Sequence, residues 1–435
     1  MKLLEKSRDI SNPKRALSIV FFVILLDLIG FGIIIPILPF YVRSFGVSDV
    51  AIGLLAASYS LMQFISAPFL GRLSDAWGRR PVLTISLLGS SIAWIFFGIA
   101  EEIGSYSITW GLMILFSARM FAGAMGGNIS TANAYIADVT TEKERAKYLG
   151  YIGAAFSVGF IIGPAIGGFL ATGYVIEIVD SILPAMIPIT PYSLPSFGAG
   201  LLSLLGMILC ILYLPESNRP RTVERQKNTL EDILGPLRNY SIRGVVIVSL
   251  GGAIAFSGVT VMFIPFIADV YGYGAVAAGM VLAYIGVIRA VSHGVISPKL
   301  IEKYSPINVA IFSSVGLMLS MVLLPFCSMI PNINSIDQGL ISLLGVLGLL
   351  AVSNACFHVA LSTLVSFAAS EDAQGVSFGI FQSSGSLGRT MGPPLMAVLY
   401  TMAIWSPFIV GAIVFIPLVV VLAKLPYNRE IKSNV

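Results

Sequence analysis

The stretch GRLSDAWGRRP at residues 71–81 separates two long apolar runs and carries one acid and three arginines. This concentration of charge stands out because only 11% of the 435 residues are charged, whereas 56% are hydrophobic. Soluble proteins carry about 25% charged residues. The composition therefore excludes a soluble protein, and it indicates that residues 71–81 form a polar turn between two membrane-spanning helices.

Apolar runs of the length that crosses a membrane recur along the whole chain. About 30 Å of hydrocarbon requires roughly 20 helical residues at 1.5 Å per residue. The prolines of residues 173–195 interrupt one apolar segment, which we predict to be an external loop. Twelve spans remain, at 16–37, 50–70, 82–100, 107–130, 147–171, 196–214, 244–267, 275–296, 307–328, 339–367, 375–400 and 404–424.

The basic residues give the predicted orientation of these spans. Of the 26 lysines and arginines, three lie within spans (Arg119, Arg289 and Arg389) and Arg43 lies in a loop of one side. All others fall in the two termini and in the alternate loops of the opposite side. Because cytoplasmic loops are enriched in positive charge, both termini are predicted to be cytoplasmic in a multi-pass protein of the cell membrane. The net charge of +4 then reflects topology and not nucleic-acid binding.

The residues that usually carry enzymatic chemistry are few and scattered. The three cysteines, Cys210, Cys327 and Cys356, show no CxxC spacing, and two histidines do not make a metal cluster. Neither a GxSxG elbow nor a Walker loop occurs. We therefore expect no enzyme, no cofactor and no metal.

The two halves of the chain resemble each other at nearly one offset. Residues 38–46 parallel residues 264–272, an offset of 226, and residues 71–78 parallel 298–305, an offset of 227. Gly159, Gly163 and Pro164 fall on Gly388, Gly392 and Pro393 at an offset of 229. The repeat predicts two homologous six-helix bundles at 1–214 and 244–435, joined by a charged cytoplasmic linker at 215–243.

Four motifs in order resemble the major facilitator superfamily, and in particular its twelve-helix drug:proton antiporter group, which includes the tetracycline exporters. They are DLIGFGIIIPILP at 27–39, the opening stretch at 71–81, RMFAG at 119–123 and GFIIGPAIGG at 159–168. The resemblance covers essentially the whole chain. It implies an all-α membrane fold of two pseudo-symmetric bundles and a transporter that works by alternating access. The acid of helix 3 in tetracycline exporters is replaced by Ala93, which argues against tetracycline as the substrate.

Asp27 and Arg119 are the candidate residues for proton coupling. Asp27 is the only acid deep inside a span, and an ionisable group at that depth costs several kcal/mol unless it has a function or a partner. Arg119 lies at similar depth in helix 4, which neighbours helix 1 in the resembled fold. Burial disfavours a charged carboxylate and a nearby guanidinium favours it, so their separation would control proton binding. The alternatives are a static pair or an Asp that faces water.

Two glycine-containing segments are candidates for conformational change. The helix-5 motif is predicted to seal the two halves against each other through Gly159, Gly163, Pro164, Gly167 and Gly168. In the loop between helices 2 and 3, the resemblance implies a gate in which Asp75 contacts helix 11 in the outward-facing state. The gate residues are Gly71, Asp75, Gly78, Arg79 and Arg80. The copy at 298–305 keeps Lys299 and Glu302 but loses the paired arginines and glycines. Lipid contact by the arginines is the simpler reading.

Further residues are candidates for substrate contact. Arg389 has no acid in its own helix and could meet an anionic substrate or lipid, whereas Arg289 is predicted within about 10 Å of the inner face, where snorkelling is an alternative. Aromatic residues could line an amphipathic cavity or simply pack; they are Phe31, Tyr59, Trp94, Phe121, Phe256, Tyr284 and Phe381.

Three functions remain open from the sequence. The first is proton-coupled antiport that exports a small amphipathic compound or drug, with Asp27 as the proton site. The second is a proton-coupled symporter that imports a small metabolite or organic anion. The third is a transport-inactive receptor or scaffold. We expect a monomer whose partners are a small-molecule substrate, protons and membrane lipids, with the proton gradient as driving force.

Overall fold

The computed structural model describes residues 13–182, 188–217, 235–330, 338–369 and 374–426, and most of these residues are helical. The first part of the chain forms nine helices in the described residues. They are α1 (Pro13–Ile34), α2 (Leu38–Ser44), α3 (Val50–Trp77), α4 (Arg79–Tyr106), α5 (Ile108–Met125), α6 (Asn128–Val139), α7 (Glu142–Leu170), α8 (Gly173–Ile182) and α9 (Ser193–Tyr213).

The second part continues with longer helices and three short non-α segments. The α-helices are α10 (Tyr240–Tyr271), α11 (Ala275–Val291), α12 (Ser297–Tyr304), α13 (Pro306–Leu323), α14 (Gln338–Ala368), α15 (Gln374–Met402) and α16 (Ser406–Ala423). Two 3₁₀ segments lie at Gly235–Arg238 and Leu324–Met329. A π-helical segment, Ser292–Ile296, joins α11 to α12 without a break.

The predicted all-α membrane fold is confirmed. Within the described ranges, eleven helical stretches are long and apolar enough to cross a membrane, and each coincides with a predicted span. The remaining predicted span, at 375–400, is the 29-residue helix α15, whose composition is more polar. Most helices run beyond the predicted spans because their ends carry polar residues that a hydropathy reading leaves out. The clearest case is Ala275–Tyr304, which was predicted to end at residue 296.

Two predicted connections are only partly covered by the structure. In the external loop at 173–195, residues 173–182 form α8, and residues 183–187 lie outside the described residues. In the predicted linker at 215–243, residues 218–234 lie outside them as well, and α10 begins at Tyr240.

The chain divides into two compact units, residues 1–223 with 267–287, and residues 224–266 with 288–435. In the first unit, α1 packs on α7 and α9, and α4 packs on α5 and α9. Val20, Val23 and Ile24 of α1 are fully buried in this core. In the second unit, α13 packs on α14 and α16.

The structure repeats at the offsets that the sequence indicates. Gly32 of α1 lies against Gly163 of α7, and 226 and 229 residues later Gly258 of α10 lies against Gly392 of α15. The backbone repeats too, since Gly46 and Gly272 have positive φ angles of 70° and 68°. Gly78 and Ser305, at 103° and 75°, are the other equivalent pair. The two segments of the repeat therefore share helix contacts as well as residues.

Arg43, next to the end of α2, binds two carboxylates. Its Nε and Nη2 donate to Asp49 at 2.8 Å each, and its Nη1 and Nη2 donate to Asp269 at 2.7 and 2.8 Å. These hydrogen bonds, those to Asp49 first, raise the pKa of the Arg43 guanidinium above its ordinary value. The group therefore stays charged at any physiological pH.

Candidate functional site

Asp27 lies far inside the membrane-spanning part of α1 and is held by an amide. Its Oδ2 accepts a hydrogen bond from Nδ2 of Asn128 at 3.1 Å. Asn128 is fully buried, whereas Asp27 is half-buried. At 1.5 Å per residue, Asp27 lies about 21 Å from the start of α1. A carboxylate at this depth, with an amide donor fixed beside it, is able to hold or release a proton.

A break in the fourth membrane span positions Asn128. The helix stops at Met125, and Gly126 and Gly127 separate it from α6, which starts at Asn128. A Cβ at Gly127 would come within 3.0 Å of the backbone of Ala67 in α3, so only glycine allows this approach. Nε2 of Gln63, also in α3, donates to the Gly126 carbonyl at 3.0 Å. The interrupted span therefore packs tightly on α3 and turns the Asn128 amide toward α1.

Arg119 of α5 lies in a cage of aromatic rings. Its guanidinium carbon is 4.7 Å from the ring centre of Tyr59, 5.3 Å from that of Phe31 and 5.7 Å from that of Trp94. The side chain is only 4% exposed, and within the described chain its Nε and Nη1 make no hydrogen bond. Cation–π contacts are worth about 0.5–2 kcal/mol each, so the rings stabilise a charge that would otherwise be costly to bury.

Asp27 and Arg119 share a neighbour but no ion pair. Both charges act on the Tyr59 hydroxyl. No salt bridge joins the two side chains, both of which lie in described helices. Phe31, four residues after Asp27 on α1, contacts Tyr59 with ring centres 4.8 Å apart. Tyr59 and Phe31 thus connect the carboxyl-bearing helix to the guanidinium.

The helix-5 glycines lie on two faces of α7. Gly159, Gly163 and Gly167, which are spaced by four, face α1. A Cβ at Gly163 would meet the Gly32 Cα at 2.7 Å, so the two backbones touch. The α1 contact therefore lies within one predicted half and not between the two halves.

The other face of α7 meets α11, which the sequence assigned to the second half. A Cβ on Gly168 would lie 3.2 Å from the backbone of Ala275 and Val276. The Pro164 carbonyl lies against Gly279. Gly286 of α11 lies in the same way against Phe160 and Ile161. Four residues of the motif therefore contact a helix of the predicted second half, and both helices lie in the first compact unit along this contact.

The charged stretch at 71–80 contains a much shorter turn than the sequence predicts. Helix α3 continues to Trp77 and α4 starts at Arg79, so Gly78 alone makes the turn, with φ at 103°. Gly71 is helical, and a Cβ there would meet only the Ser130 Oγ at 3.8 Å, an ordinary contact. The positive φ angle therefore favours glycine at position 78, whereas position 71 has room for a larger side chain.

Arg79 is the centre of an ion network at this turn. Its Nη1 binds Oδ1 of Asp75 at 2.5 Å, and its Nε binds Oδ2 of Asp138 at 3.0 Å. The backbone N–H groups of Arg79 and Arg80 donate to Glu216 at 2.9 and 3.2 Å, which caps the start of α4 with a negative charge. In this conformation Asp75 therefore contacts Arg79 of its own turn.

The residues predicted to contact substrate have different surroundings. Phe31 belongs to the cage around Arg119, and Phe121 is 41% exposed. Phe381 is only 4% exposed, which makes it a packing residue in this structure. Phe256 and Tyr284 are half-buried.

The helix that carries Arg289 continues through the π segment to Tyr304, beyond the predicted end at residue 296. The added residues form the polar helix α12, so the end of the helix does not mark the membrane face. The position of Arg289 about 10 Å from the inner face, with snorkelling as an alternative, stays a prediction. Arg389 is near the middle of α15, and its Nη2 donates to Oγ of Ser386 at 2.8 Å.

Sequence reasoning missed the partners that fix the charged residues. Asn128 follows a Gly-Gly pair, and such a pair inside an apolar span is a signal for a helix break that exposes polar groups. Asp138 and Glu216 lie 59 and 137 residues from Arg79, so no local pattern connects them to it. Tyr59 and Trp94 were predicted as possible cavity residues, but they come from separate helices and their contact with Arg119 was not predicted.

Comparison with known proteins gives consistent matches over the chain. A family model of the Major Facilitator Superfamily matches residues 20–352. The class B tetracycline resistance protein of Escherichia coli is 28% identical over 411 residues, which cover 92% of this chain and 91% of the relative. Multidrug resistance protein 2 of Bacillus subtilis (strain 168) is 25% identical over 416 residues, 94% of each chain.

A solved structure agrees with the fold. The D-xylose-proton symporter has a TM-score of 0.75 at 16% identity and covers 95% of this chain and 98% of that chain. At this identity the likeness concerns the fold alone. The family model covers well over half of the chain, and the long apolar helices and the predicted motifs agree with it. The chain therefore belongs to the Major Facilitator Superfamily and is a multi-pass membrane transporter.

Proposed function

We propose that this protein is a proton-driven antiporter that exports a small amphipathic compound, and that Asp27 binds the proton. The observation that carries the proposal is the position of the Asp27 carboxylate, deep in α1 and hydrogen-bonded to Asn128. No described base forms a salt bridge with it. An unpaired ionisable group at that depth is costly unless it serves function.

The surroundings of Asp27 suggest how proton binding is linked to movement. Tyr59 is near both charges, and the Arg119 guanidinium is caged by rings from three helices. A shift of α1 relative to α3 and α5 would change the distance between the carboxyl and the guanidinium. Because a positive charge favours the ionised carboxylate, Arg119 would then modulate proton affinity in each conformation.

Export is favoured by the names of the relatives. Two proteins that match nearly the whole chain at 25% and 28% identity are resistance proteins for tetracycline and for multiple drugs. Resistance by a membrane transporter requires that the compound leave the cell. The compound carried by this chain is a separate question, and Ala93 at the helix-3 acid position argues against tetracycline itself.

The direction of proton movement tests the proposal. The purified protein is reconstituted into liposomes that contain a trapped pH-sensitive dye, and amphipathic compounds of different charge are added outside under an imposed proton gradient. Antiport predicts that an active compound raises the pH of the lumen. Asp27→Asn should abolish this response, whereas Asp180→Asn, the same change on the exposed face of α8, should preserve it.

Three other outcomes have definite meanings. Acidification of the lumen by the compound would replace antiport with symport. Uptake of no compound, by protein that elutes as a folded species, would support a receptor or scaffold. A proton response of full size in Asp27→Asn would contradict the assignment of the proton site.

A further inference from the structure

Four basic side chains come together in the second compact unit. The charge of Arg389 acts on Arg289, and the charges of both arginines and of His293 act on His358. Arg289 also acts on His293. We call these four residues the basic cluster. They come from three helical segments that are far apart in the sequence.

The π-helical segment brings two members of the cluster onto α14. Arg289 and His293 are four residues apart, and the Ser292–Ile296 segment begins between them and widens the helix. Directly after it, the Ser297 Oγ donates to Sγ of Cys356 at 3.4 Å. Cys356 is two residues before His358, so this contact links the end of the π segment to the part of α14 that carries His358. Single π turns inside α-helices are frequent at functional sites.

The cluster lies at the depth of the hydrocarbon core. Arg389 is about 20 Å from both ends of α15, and Arg289 lies about 12 Å before the polar helix α12 begins, at 1.5 Å per residue. Charged side chains at this depth face the bundle interior or a water-filled cavity. Arg389 is exposed, and Arg289, His293 and His358 are half-buried. Partly accessible basic side chains at this depth are typical of the wall of a cavity.

Within the residues of the second unit that the structure describes, no carboxylic acid lies beside the basic cluster. In the described part of the second unit, Glu302 is the single carboxylic acid, and it is exposed in α12, about 20 Å along the helix from Arg289. The charged groups that act on Arg289, His293 and His358 are other members of the cluster. Two arginines with no described carboxylate beside them make a positive site in a low-dielectric region, and the two histidines add hydrogen-bonding groups.

The donor groups match one chemical class of ligand. A guanidinium binds carboxylate, sulfonate or phosphate oxygens through two parallel N–H groups, and each imidazole adds an N–H donor. The Arg389 Nη2 is oriented by Ser386, which leaves further N–H groups of that guanidinium for a ligand. An organic cation would be repelled at the same place.

We propose that the basic cluster binds the anionic group of an amphipathic organic anion, such as a carboxylate or sulfonate, and thereby sets the substrate class of the transporter. This inference rests on the proposed function for the idea that a substrate is carried, but the site lies in a different unit from Asp27. The two proposals can therefore fail separately.

Direct binding tests the proposal with two dyes that share a xanthene frame. The full-length protein is placed in nanodiscs of neutral lipid, and fluorescence anisotropy measures the Kd of fluorescein, an anion, and rhodamine 6G, a cation. Arg289→Gln and Arg389→Gln should each weaken fluorescein binding at least tenfold and should not weaken rhodamine 6G binding. Arg243→Gln, at an exposed position of the same unit, should leave both Kd values unchanged.

A conservative variant covers the case in which a glutamine variant does not fold. Arg389→Lys keeps the charge but loses the two-point geometry, so fluorescein binding should weaken about threefold. An unchanged fluorescein Kd in the folded arginine variants, or no saturable fluorescein binding by the wild type, would overturn the proposal. Asp27→Asn should retain fluorescein binding while losing the proton response. Asp27-dependent proton flux that is indifferent to Arg389 would refute the anion site and leave the antiporter standing.

Discussion

Arg43 and Asp269 occupy equivalent positions of the internal repeat, 226 residues apart, and bind each other through two hydrogen bonds of 2.7 and 2.8 Å. The repeat therefore places an arginine and an aspartate where the two copies meet. Asp49 accepts two hydrogen bonds of 2.8 Å from the same guanidinium and so fixes its orientation toward Asp269. Each of the two residues lies near the end of a helix, and a glycine with positive φ follows three residues later, at Gly46 and Gly272. We call the turns at these glycines the two loops.

Breaking this pair should release the two loops from each other. Partly exposed ion pairs are worth about 0.2–1 kcal/mol, so Asp269→Asn should change the ratio of closed to open loops up to about fivefold. Spin labels at Ser48 and Gly274, in a background without the three buried cysteines, report the distance between the loops. The variant should gain a population at longer distance. An unchanged distribution, identical to that of Asp180→Asn, would mean that the pair does not hold the loops.

The contact between α1 and α7 depends on glycine at position 163. Gly163→Ala places a Cβ 2.7 Å from the Gly32 Cα, and overpacking of this kind costs about 1–3 kcal/mol. The thermal unfolding midpoint in detergent should fall. Gly153→Ala in the same helix adds a Cβ where nothing lies within 4 Å, so its midpoint should stay or rise slightly. Equal midpoints for the two variants would contradict the steric account.

Gly78 and Ser305 are equivalent residues with the same backbone strain and different side chains. Both have positive φ, which costs a residue with a Cβ about 1 kcal/mol. Gly78→Ser should lower the free energy of unfolding, more than the backbone term alone because its Cβ would meet Glu216. Ser305→Gly should raise it by up to about 1 kcal/mol. Chemical unfolding in mixed micelles measures the change in the free energy of unfolding for both variants. Two changes of the same sign would contradict the account of backbone strain.

Asn128 is expected to matter because it donates to Asp27. A hydrogen bond to a charged group is worth about 1.5–3 kcal/mol, so Asn128→Leu should slow compound-evoked proton flux about tenfold. Asn133→Leu makes the same chemical change on the exposed face of the same helix and should have little effect. Flux at the wild-type rate in Asn128→Leu would show that the amide does not position the proton site.

Hydropathy and charge were sufficient to predict the number of spans and the all-α fold, because apolar length and the placement of basic residues are properties of local sequence. They placed the helix ends less well. The stretch at 71–81 was predicted as a turn, yet α3 reaches Trp77, since helical hydrogen bonds continue through polar residues next to the membrane. The same effect extends the helix that carries Arg289, which continues to Tyr304.

The charged centres could be predicted from the sequence, but their partners could not. Asp27 and Arg119 stood out because charge is rare inside apolar spans. The partners Asn128, Tyr59 and Trp94 are ordinary residues in membrane helices, and only the packing of α1 and α3 to α6 brings them to the charged residues. Because Asp27 and Arg119 lie at similar depth in their helices, a direct ion pair between them was one of the alternatives. The structure instead places aromatic rings around the Arg119 guanidinium.

The central claim is that Asp27 carries the proton that drives transport, and exchange assays test it most directly. In liposomes, Asp27→Asn should still exchange labelled for unlabelled compound, because substrate binding and the conformational change do not require a titrating carboxyl in that assay. The same variant should lose net movement of compound driven by a proton gradient. Gradient-driven movement at the wild-type rate in Asp27→Asn would contradict the account.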